Sequence, residues 1–258
     1  MRAVALELSD MWVLAVRSAK RIPRQPDLLI GFTVQPVMFV LLFVYVFGGA
    51  ISTPGYSSYV DYLIPGIAVQ TIAFGGFVTA LGLTDDLKKG LMDRFRSLPM
   101  SRAAVLTGRT LADVSTNIVQ TAVVLTVGLL VGFSFSTSAA DVVAGIFLLL
   151  LIGYAFSWVF AFVGLSASSP ESANAYGFIV LFPLTFVSSA FVPVESMPSW
   201  LQPVAEHNPF TIMVNAIRGL FVGNPVGDDP WIATAWAVGI TLVFATLAIW
   251  RYRRVVAR

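Results

Sequence analysis

Six long stretches of this chain contain no acidic or basic residue, and they constrain its fold more than any other feature. They are residues 28–60, 62–84, 114–140, 142–170, 172–194 and 230–250. A helix needs about 20 apolar residues to cross the hydrocarbon core of a bilayer, and each stretch is long enough. Helices satisfy their own backbone hydrogen bonds in lipid. The sequence therefore predicts an all-α integral membrane protein.

Within these stretches we predict six transmembrane helices in a single domain over residues 1–258. The expected spans are 28–50, 62–83, 114–135, 142–166, 173–192 and 231–250. Pro36, Pro65 and Pro183 fall within or at the edge of spans. Each proline removes a backbone hydrogen bond, so we expect it to bend its helix.

The basic residues are strongly segregated along the chain. Five lie in residues 1–26, six in 84–110 and four after Trp250, whereas the segment 193–230 has only Arg218. Loops rich in Lys and Arg stay on the cytoplasmic side of a membrane. Six spans with both termini in the cytoplasm place fifteen of the sixteen basic residues on that side. We therefore expect a multi-pass protein of the cell membrane with both termini inside.

Residues 1–26 have the pattern of a helix that lies on the membrane surface. One helical face is apolar and the other is charged, with five basic and two acidic side chains in the segment. An apolar face with a tryptophan, here Trp12, opposite a basic face is typical of an interfacial helix. Pro23 and Pro26 are expected to end it.

The loop at 84–110 is the long polar interruption between two apolar segments, and it contains a second amphipathic pattern. Leu87, Leu91, Phe95 and Leu98 recur at the spacing of one helical face. A proline follows at position 99, which should end the helix at the residue before it. A short helix held at the cytoplasmic surface suits contact with another protein.

For the segment 193–230 we predict a pair of short helices that enter the outer leaflet of the membrane and return to the same side. Its prolines divide it into pieces shorter than a full span. We expect its apolar side chains to face lipid: Trp200, Leu201, Val204 and Ala205 on the first helix, and Phe210, Met213, Val214, Ile217, Leu220 and Phe221 on the second.

Two motifs and the N-terminal helix give the chain a family resemblance over its whole length. The 84–110 loop contains an acidic-basic segment followed by Ser-Leu-Pro, formed by Asp93, Arg94, Phe95, Ser97, Leu98, Pro99 and Ser101. The second motif comprises Pro193, Met197, Pro198, Trp200, Leu201, Asn208, Pro209 and Arg218. In this order they resemble the ABC-2 type permeases of ATP-binding-cassette exporters, most closely the daunorubicin/doxorubicin-resistance type. Asp93 stands where acidic relatives often have Glu.

The resemblance implies a machine of two six-span permeases, identical or related, and two cytoplasmic ATPase subunits that bind ATP and magnesium. It implies outward transport of a hydrophobic drug, polyketide or lipid by alternating access. The coupling helix would be formed by Leu91, Asp93, Arg94, Phe95, Leu98, Pro99 and Ser101. The outer hairpin would be shaped by Pro198, Trp200, Asn208, Pro209 and Arg218.

The residues themselves leave few other chemistries open. No G-x-x-x-x-G-K-[ST] phosphate loop occurs, so this chain does not hydrolyse ATP by that route. Asp85, Asp86 and Asp93 allow an alternative, a membrane enzyme that holds a diphosphate through magnesium. The surrounding Lys and Arg residues favour an ion-paired surface helix instead. His207, the only histidine, is expected to be a loop residue rather than a metal ligand.

Polar side chains within the spans are candidates for a substrate path. Gln35, Gln70, Asn117 and Gln120 should face protein or a cavity rather than lipid. Helix–helix hydrogen bonding and a transport path both remain open for them. Phe39 begins a phenylalanine stripe in the first span that suits either packing or an apolar cargo.

Overall fold

The computed structural model describes residues 26–88, 102–223 and 227–255, and every regular element in these ranges is helical. The long helices are α1 (Pro26–Leu42), which continues as a π-helical turn over Phe43–Phe47, α2 (Tyr59–Lys88), α3 (Arg102–Leu130), α4 (Ala139–Ser166) and α5 (Pro170–Phe186). After a 3-10 turn at Val194–Ser196 come α6 (Gln202–Glu206), α7 (Pro209–Val222) and α8 (Asp229–Val255).

Four of these helices are long and apolar enough to cross a membrane: α2, α3, α4 and α8. The other two predicted spans overlap α1 and α5, which have 17 residues each. With its π-helical turn α1 extends over 22 residues, 17 in the α-helix and 5 in the turn, and the 17 residues of α5 lie at the lower limit of a crossing. The all-helical membrane architecture is therefore confirmed, and six crossings stay a prediction. The predicted interfacial helix lies almost entirely outside the described residues.

α2 is the central element of the bundle. It packs most extensively on α4 and also contacts α1, α3, α5 and α7. Within its most apolar window 78% of the residues are buried, against 17% for α8. A helix that is apolar on all sides must be covered by other elements or by lipid, and α2 is covered mainly by protein. At 1.5 Å per residue its 30 residues separate the two ends of the bundle by about 45 Å.

α2 and α4 approach closely because Gly164 has no side chain. A Cβ at Gly164 would lie 2.6 Å from the carbonyl oxygen of Ala80. The Thr84 hydroxyl donates a hydrogen bond to the carbonyl oxygen of Gly164 at 3.0 Å. Small residues permit such contact between backbones within a membrane bundle.

The prediction that the second short helix of 193–230 faces lipid is wrong. Five of its six apolar side chains are buried in the core of the bundle: Phe210, Met213, Val214, Ile217 and Phe221. The reason is that α7 packs against α2, α4 and α8. An apolar stripe has the same period whether lipid or protein covers it. On the first short helix Ala205 is buried as well, whereas Trp200 and Val204 are exposed as expected.

Candidate functional site

The predicted coupling residues lie outside the described part of the chain. They are Leu91, Asp93, Arg94, Phe95, Leu98, Pro99 and Ser101, and their assignment stays a prediction. The structure does describe the helices that enter and leave this loop. α2 ends at Lys88 and α3 begins at Arg102, so both segments meet the loop at the same end of the bundle.

An ion pair joins α2 to α3 close to the loop. Arg109 Nη1 lies 2.7 Å from Asp86 Oδ2, and both side chains are about one-quarter exposed or less. Gly82 makes this arrangement possible, because a Cβ at that position would overlap the Arg109 guanidinium. The two helices are thus held together within about two turns of the loop.

A second polar contact follows one helical turn further along α3. The buried Thr79 hydroxyl on α2 donates a hydrogen bond to Asp113 Oδ2. The carboxylate therefore has a protein partner inside the bundle, as the energetics of a charge in this environment require.

Asn117 and Gln120 continue this line of polar side chains on α3. Both are buried, and both lie against Gly75 of α2, where a Cβ would be 2.6 Å from Gln120 Oε1 and 3.1 Å from Asn117 Oδ1. Asn117 also lies against α4, because a Cβ at Gly153 would be 2.5 Å from its Nδ2. Glycines on two neighbouring helices therefore create the space that these amides fill.

We call this line of contacts the polar seam. It is formed by Asp86, Thr79, Arg109, Asp113, Asn117 and Gln120. From Arg109 to Gln120 it extends about 16 Å along α3. The predicted polar face of the third span is thus placed against α2 and α4 rather than at the surface.

The end of the seam that lies farthest from the 84–110 loop, at Gln120, borders a small pocket between α1, α2 and α3. The pocket has a volume of about 20 Å³ and is lined by Gln35, Pro36, Phe39, Gln70, Thr71, Phe74 and Gln120. Four of the five side chains predicted for a substrate path are therefore brought together. The fifth, Asn117, lies one turn away on α3. Sequence reasoning missed Thr71 and Phe74, which sit in a continuous apolar run without a distinguishing signal.

Arg218 lies at the end of the bundle opposite the 84–110 loop, where its side chain is 1% exposed and contacts several elements. Its guanidinium donates hydrogen bonds to the carbonyl oxygen of Tyr62 at 3.1 Å, to that of Ser189 at 2.8 Å and to Asn215 Oδ1 at 2.7 Å. It also lies 3.8 Å from the centroid of the Tyr62 ring. One side chain of α7 thereby contacts both α2 and the segment after α5, while its role in an outer hairpin stays a prediction.

Asn208 and Pro209, also predicted for the hairpin, begin α7. Asn208 is the N-cap residue, and its Oδ1 accepts a hydrogen bond from the Phe210 amide at 2.9 Å. Its Nδ2 donates to the carbonyl oxygens of Leu184 and Val187. Proline suits the first position of a helix, where no amide donor is needed. Pro198 accepts a hydrogen bond from the Leu201 amide at 2.8 Å and so shapes the turn before α6.

A larger cavity of about 820 Å³ lies beside Arg218 at this end. Its lining is mixed, with two tyrosines, two carboxylates and several small polar residues: Ser52, Pro54, Tyr56, Tyr62, Ser189, Pro193, Val194, Glu195, Ser196, Asn215, Arg218 and Asp229. In the described ranges no group of three acidic, histidine or cysteine side chains is placed to hold a metal ion.

Comparison with known proteins agrees with this arrangement. The family described as ABC-2 type transporter matches residues 9–222. The daunorubicin resistance ABC transporter permease protein DrrB1 of Streptomyces coeruleorubidus is 36% identical, over 97% of this chain and 87% of its own length. The probable doxorubicin resistance ABC transporter permease protein DrrC of Mycobacterium tuberculosis is 28% identical, over 88% of this chain and 82% of its own.

A putative transport permease, ycf38 of Cyanophora paradoxa, is 28% identical over 83% of this chain and 74% of its own length. The resemblance read from the two loop motifs is thus confirmed across most of the sequence. The chain belongs to the ABC-2 type transporter family.

Proposed function

We propose that this chain is the permease subunit of an ATP-binding-cassette exporter that moves hydrophobic or amphiphilic molecules outward. The permease crosses the cell membrane six times, with both termini in the cytoplasm. It is not an enzyme on its own, since ATP and magnesium bind to a separate ATPase subunit. Closure of the ATPase dimer shifts the permease between inward-facing and outward-facing states.

The polar seam is the observation that carries this proposal. Its first contact, between Asp86 and Arg109, lies next to the predicted coupling loop, and its last residue, Gln120, lines the pocket. A displacement of the loop would pull on α2 and α3 together. A coupled shift requires contacts that differ between two states, and the seam supplies hydrogen bonds and an ion pair that can differ in this way.

Two ATPase subunits and a second permease, identical or related, complete the proposed assembly. The exposed apolar side chains of α1 and α5 favour a second permease, because the rest of this chain covers both helices only in part. On α5 these side chains are Tyr176, Phe178, Ile179, Val180, Phe182 and Phe186. Large exposed apolar surfaces mark contacts with protein or lipid.

The proposed cargo is a drug, a polyketide or a lipid. Two of the relatives are named for resistance to daunorubicin or doxorubicin. The pocket of this chain has Pro36, Phe39 and Phe74 in its walls and no ionisable side chain in its lining. At about 20 Å³ the pocket holds no more than one small group, so the proposed cargo class rests on the names of the relatives and on the absence of ionisable residues from the predicted spans.

The alternative of a diphosphate-dependent enzyme is not favoured. Asp86 is engaged by Arg109 at 2.7 Å, so its carboxylate is not free to bind magnesium. Asp93 lies outside the described residues. The family to which the chain belongs gives no support to that chemistry.

Reconstitution in lipid vesicles tests the proposal. The permease would be purified together with its ATPase, and ATP-dependent movement of doxorubicin and of a fluorescent lipid would be followed. The double reversal Asp93→Lys with Arg94→Glu should leave the permease folded but abolish stimulation of transport by ATP. If the ATPase never co-purifies and no cargo moves, the export function is wrong.

A further inference from the structure

α8 presents an apolar strip along one of its faces. Its side chains share helical spacing and are all exposed: Ile232, Trp236, Val243, Leu247 and Trp250. Gly239 occupies the remaining position of the strip, and a Cβ there would meet open space. The strip is therefore indented at its middle. In a membrane bundle such a surface is covered by lipid or by another protein.

The length of this face matches the hydrocarbon core of a bilayer. Trp231 and Trp250 are both exposed and lie 19 positions apart, which is about 28 Å along a helix. The hydrocarbon core is about 30 Å thick, and tryptophan is enriched at its two interfaces with water. The two tryptophans therefore fit the two interfaces, and the strip between them fits the acyl-chain region.

The end of the strip nearest the C-terminus is basic. Arg253 and Arg254 follow Trp250 by three and four positions, so the three side chains share one helical face, and both arginines are exposed. The Arg254 guanidinium lies 3.9 Å from the centroid of the Trp250 ring, which holds it at the depth of the interface. Within the described residues neither guanidinium has a hydrogen bond or an ion pair.

This combination fits an acidic phospholipid. A guanidinium presents a planar fork of N–H donors that matches phosphate oxygens. Two arginines without a carboxylate partner favour a headgroup of net negative charge over a zwitterionic one. Gly239 lies about 16 Å from Trp250 along the helix, close to half the thickness of the hydrocarbon core. One acyl chain of a single leaflet thus extends from Trp250 to the indentation.

A second copy of the chain fits this face poorly. Symmetry would place the same residues of both copies at the same depth in the membrane, so their arginines would face each other. α8 has no acidic residue after Asp229 to separate them, and juxtaposed like charges oppose association. α1 and α5 contain no basic residue, so a second permease at those helices meets no such conflict.

We propose that the exposed face of α8 binds an acidic phospholipid, with Arg253 and Arg254 on its phosphate and an acyl chain along the strip from Trp250 to Gly239. In the topology proposed above, this lipid belongs to the cytoplasmic leaflet. The site is separate from the pocket at Gln120, and the inference goes beyond the export function without depending on it.

A fluorophore beside the strip measures lipid binding at this site alone. Thr246→Cys places one cysteine in a chain that has none, at an exposed position one turn before Trp250, and the cysteine is labelled with bimane. The full chain is placed in phosphatidylcholine nanodiscs that contain a small fraction of nitroxide-labelled phosphatidylglycerol or nitroxide-labelled phosphatidylcholine. Quenching should show a preference for phosphatidylglycerol of about fivefold or more, the contribution of one basic residue at a membrane surface.

Three variants in this labelled background locate the preference. Arg253→Gln with Arg254→Gln should make quenching by the two lipids equal, whereas Arg253→Lys with Arg254→Lys keeps both charges and should retain most of the preference. Lys88→Gln removes an exposed basic residue of α2, outside the strip, and should leave the preference unchanged. In phosphatidylcholine alone all three should unfold at the wild-type temperature, because the replaced side chains are exposed.

Three results would overturn the lipid site. The first is a wild-type chain without a preference for phosphatidylglycerol, and the second is a preference that survives in the double glutamine variant. The third is the absence of quenching by either lipid, which would show that protein covers the strip. The measurement includes no transport step, so its outcome is independent of whether the export function is correct.

Discussion

The guanidinium of Arg218 stacks on the ring of Tyr62 and also donates a hydrogen bond to the backbone carbonyl of the same residue. The two residues are 156 positions apart in sequence. A charge buried to this degree is stable only when its donors are satisfied and its positive face has a partner. Here two carbonyls, an amide and an aromatic ring supply both.

Replacing Arg218 should therefore strongly destabilise the bundle. Arg218→Met leaves the carbonyl oxygens of Tyr62 and Ser189 without their charged donor, and we expect a loss of about 3 kcal/mol or more in unfolding free energy. Arg218→Lys should recover only part of this, because an ammonium cannot reproduce the planar fork. Thermal unfolding in nanodiscs measures both.

Arg254 is the control for Arg218. It also lies over an aromatic ring, at 3.9 Å from the centroid of Trp250, but it is exposed. Arg254→Met should change stability by less than about 0.5 kcal/mol, as is usual at the surface. Equal effects of the two substitutions would contradict the structural role assigned to Arg218.

Gly82→Ala should break the ion pair that joins α2 to α3 beside the predicted coupling loop. The new Cβ would overlap the Arg109 guanidinium, so Arg109 must leave Asp86. We expect ATP hydrolysis to continue in the reconstituted complex while cargo transport falls at least about tenfold, because the first contact of the polar seam is lost. Gly239→Ala on α8, where a Cβ meets open space, should leave both rates unchanged; a similar loss there would show that the effect is not specific to the seam.

Asn208 performs two separable tasks at the start of α7. Asn208→Asp keeps the acceptor that caps the helix and loses the two bonds donated to Leu184 and Val187. Asn208→Ala loses both functions. We expect losses of about 1–2 kcal/mol for the first and at least about 1 kcal/mol more for the second. Chemical denaturation in mild detergent would compare the two, and an aspartate variant as unstable as the alanine variant would argue against a separate capping contribution.

The six-span topology can be tested by cysteine labelling, because the natural chain contains no cysteine. Ser196 and Ser168 are both exposed, and six crossings place them on opposite sides of the membrane. In intact cells Ser196→Cys should react with a membrane-impermeant maleimide, whereas Ser168→Cys should react only after permeabilisation. Labelling of both from outside would rule out six spans with cytoplasmic termini.

The sequence was most informative where one physical requirement dominates. Charge-free length located the helices, and the buried amides on α3 could be predicted because a polar group in a span must avoid lipid. Their neighbours Gly75 and Gly153 could not be identified, because nothing in an apolar run shows which side chain packs against a glycine. The burial of α7 was also beyond reach, because periodicity gives the apolar face of a helix but not what covers it.

The contacts of Arg218 could not be predicted from the sequence either. The sequence placed it in the outer hairpin without indicating what it contacts, and the structure makes it one of the most completely buried side chains of the described residues. Its partners are mostly backbone carbonyl oxygens. Every residue has a backbone carbonyl, so the sequence could not show which carbonyl oxygens accept hydrogen bonds from Arg218. Only the three-dimensional arrangement identifies them.

The enclosure of α2 has a consequence for the synthesis of the protein. Three of the helices that surround it most, α3, α4 and α7, leave the ribosome after it does. Domains form progressively from the N-terminus during translation, and membrane helices insert before they associate. Newly inserted α2 must therefore wait in lipid with Gln70 and Thr79 uncovered. A nascent chain that stops before Arg218 would still lack the guanidinium that contacts α2 at Tyr62, so the end of α2 near Tyr62 reaches its final environment last.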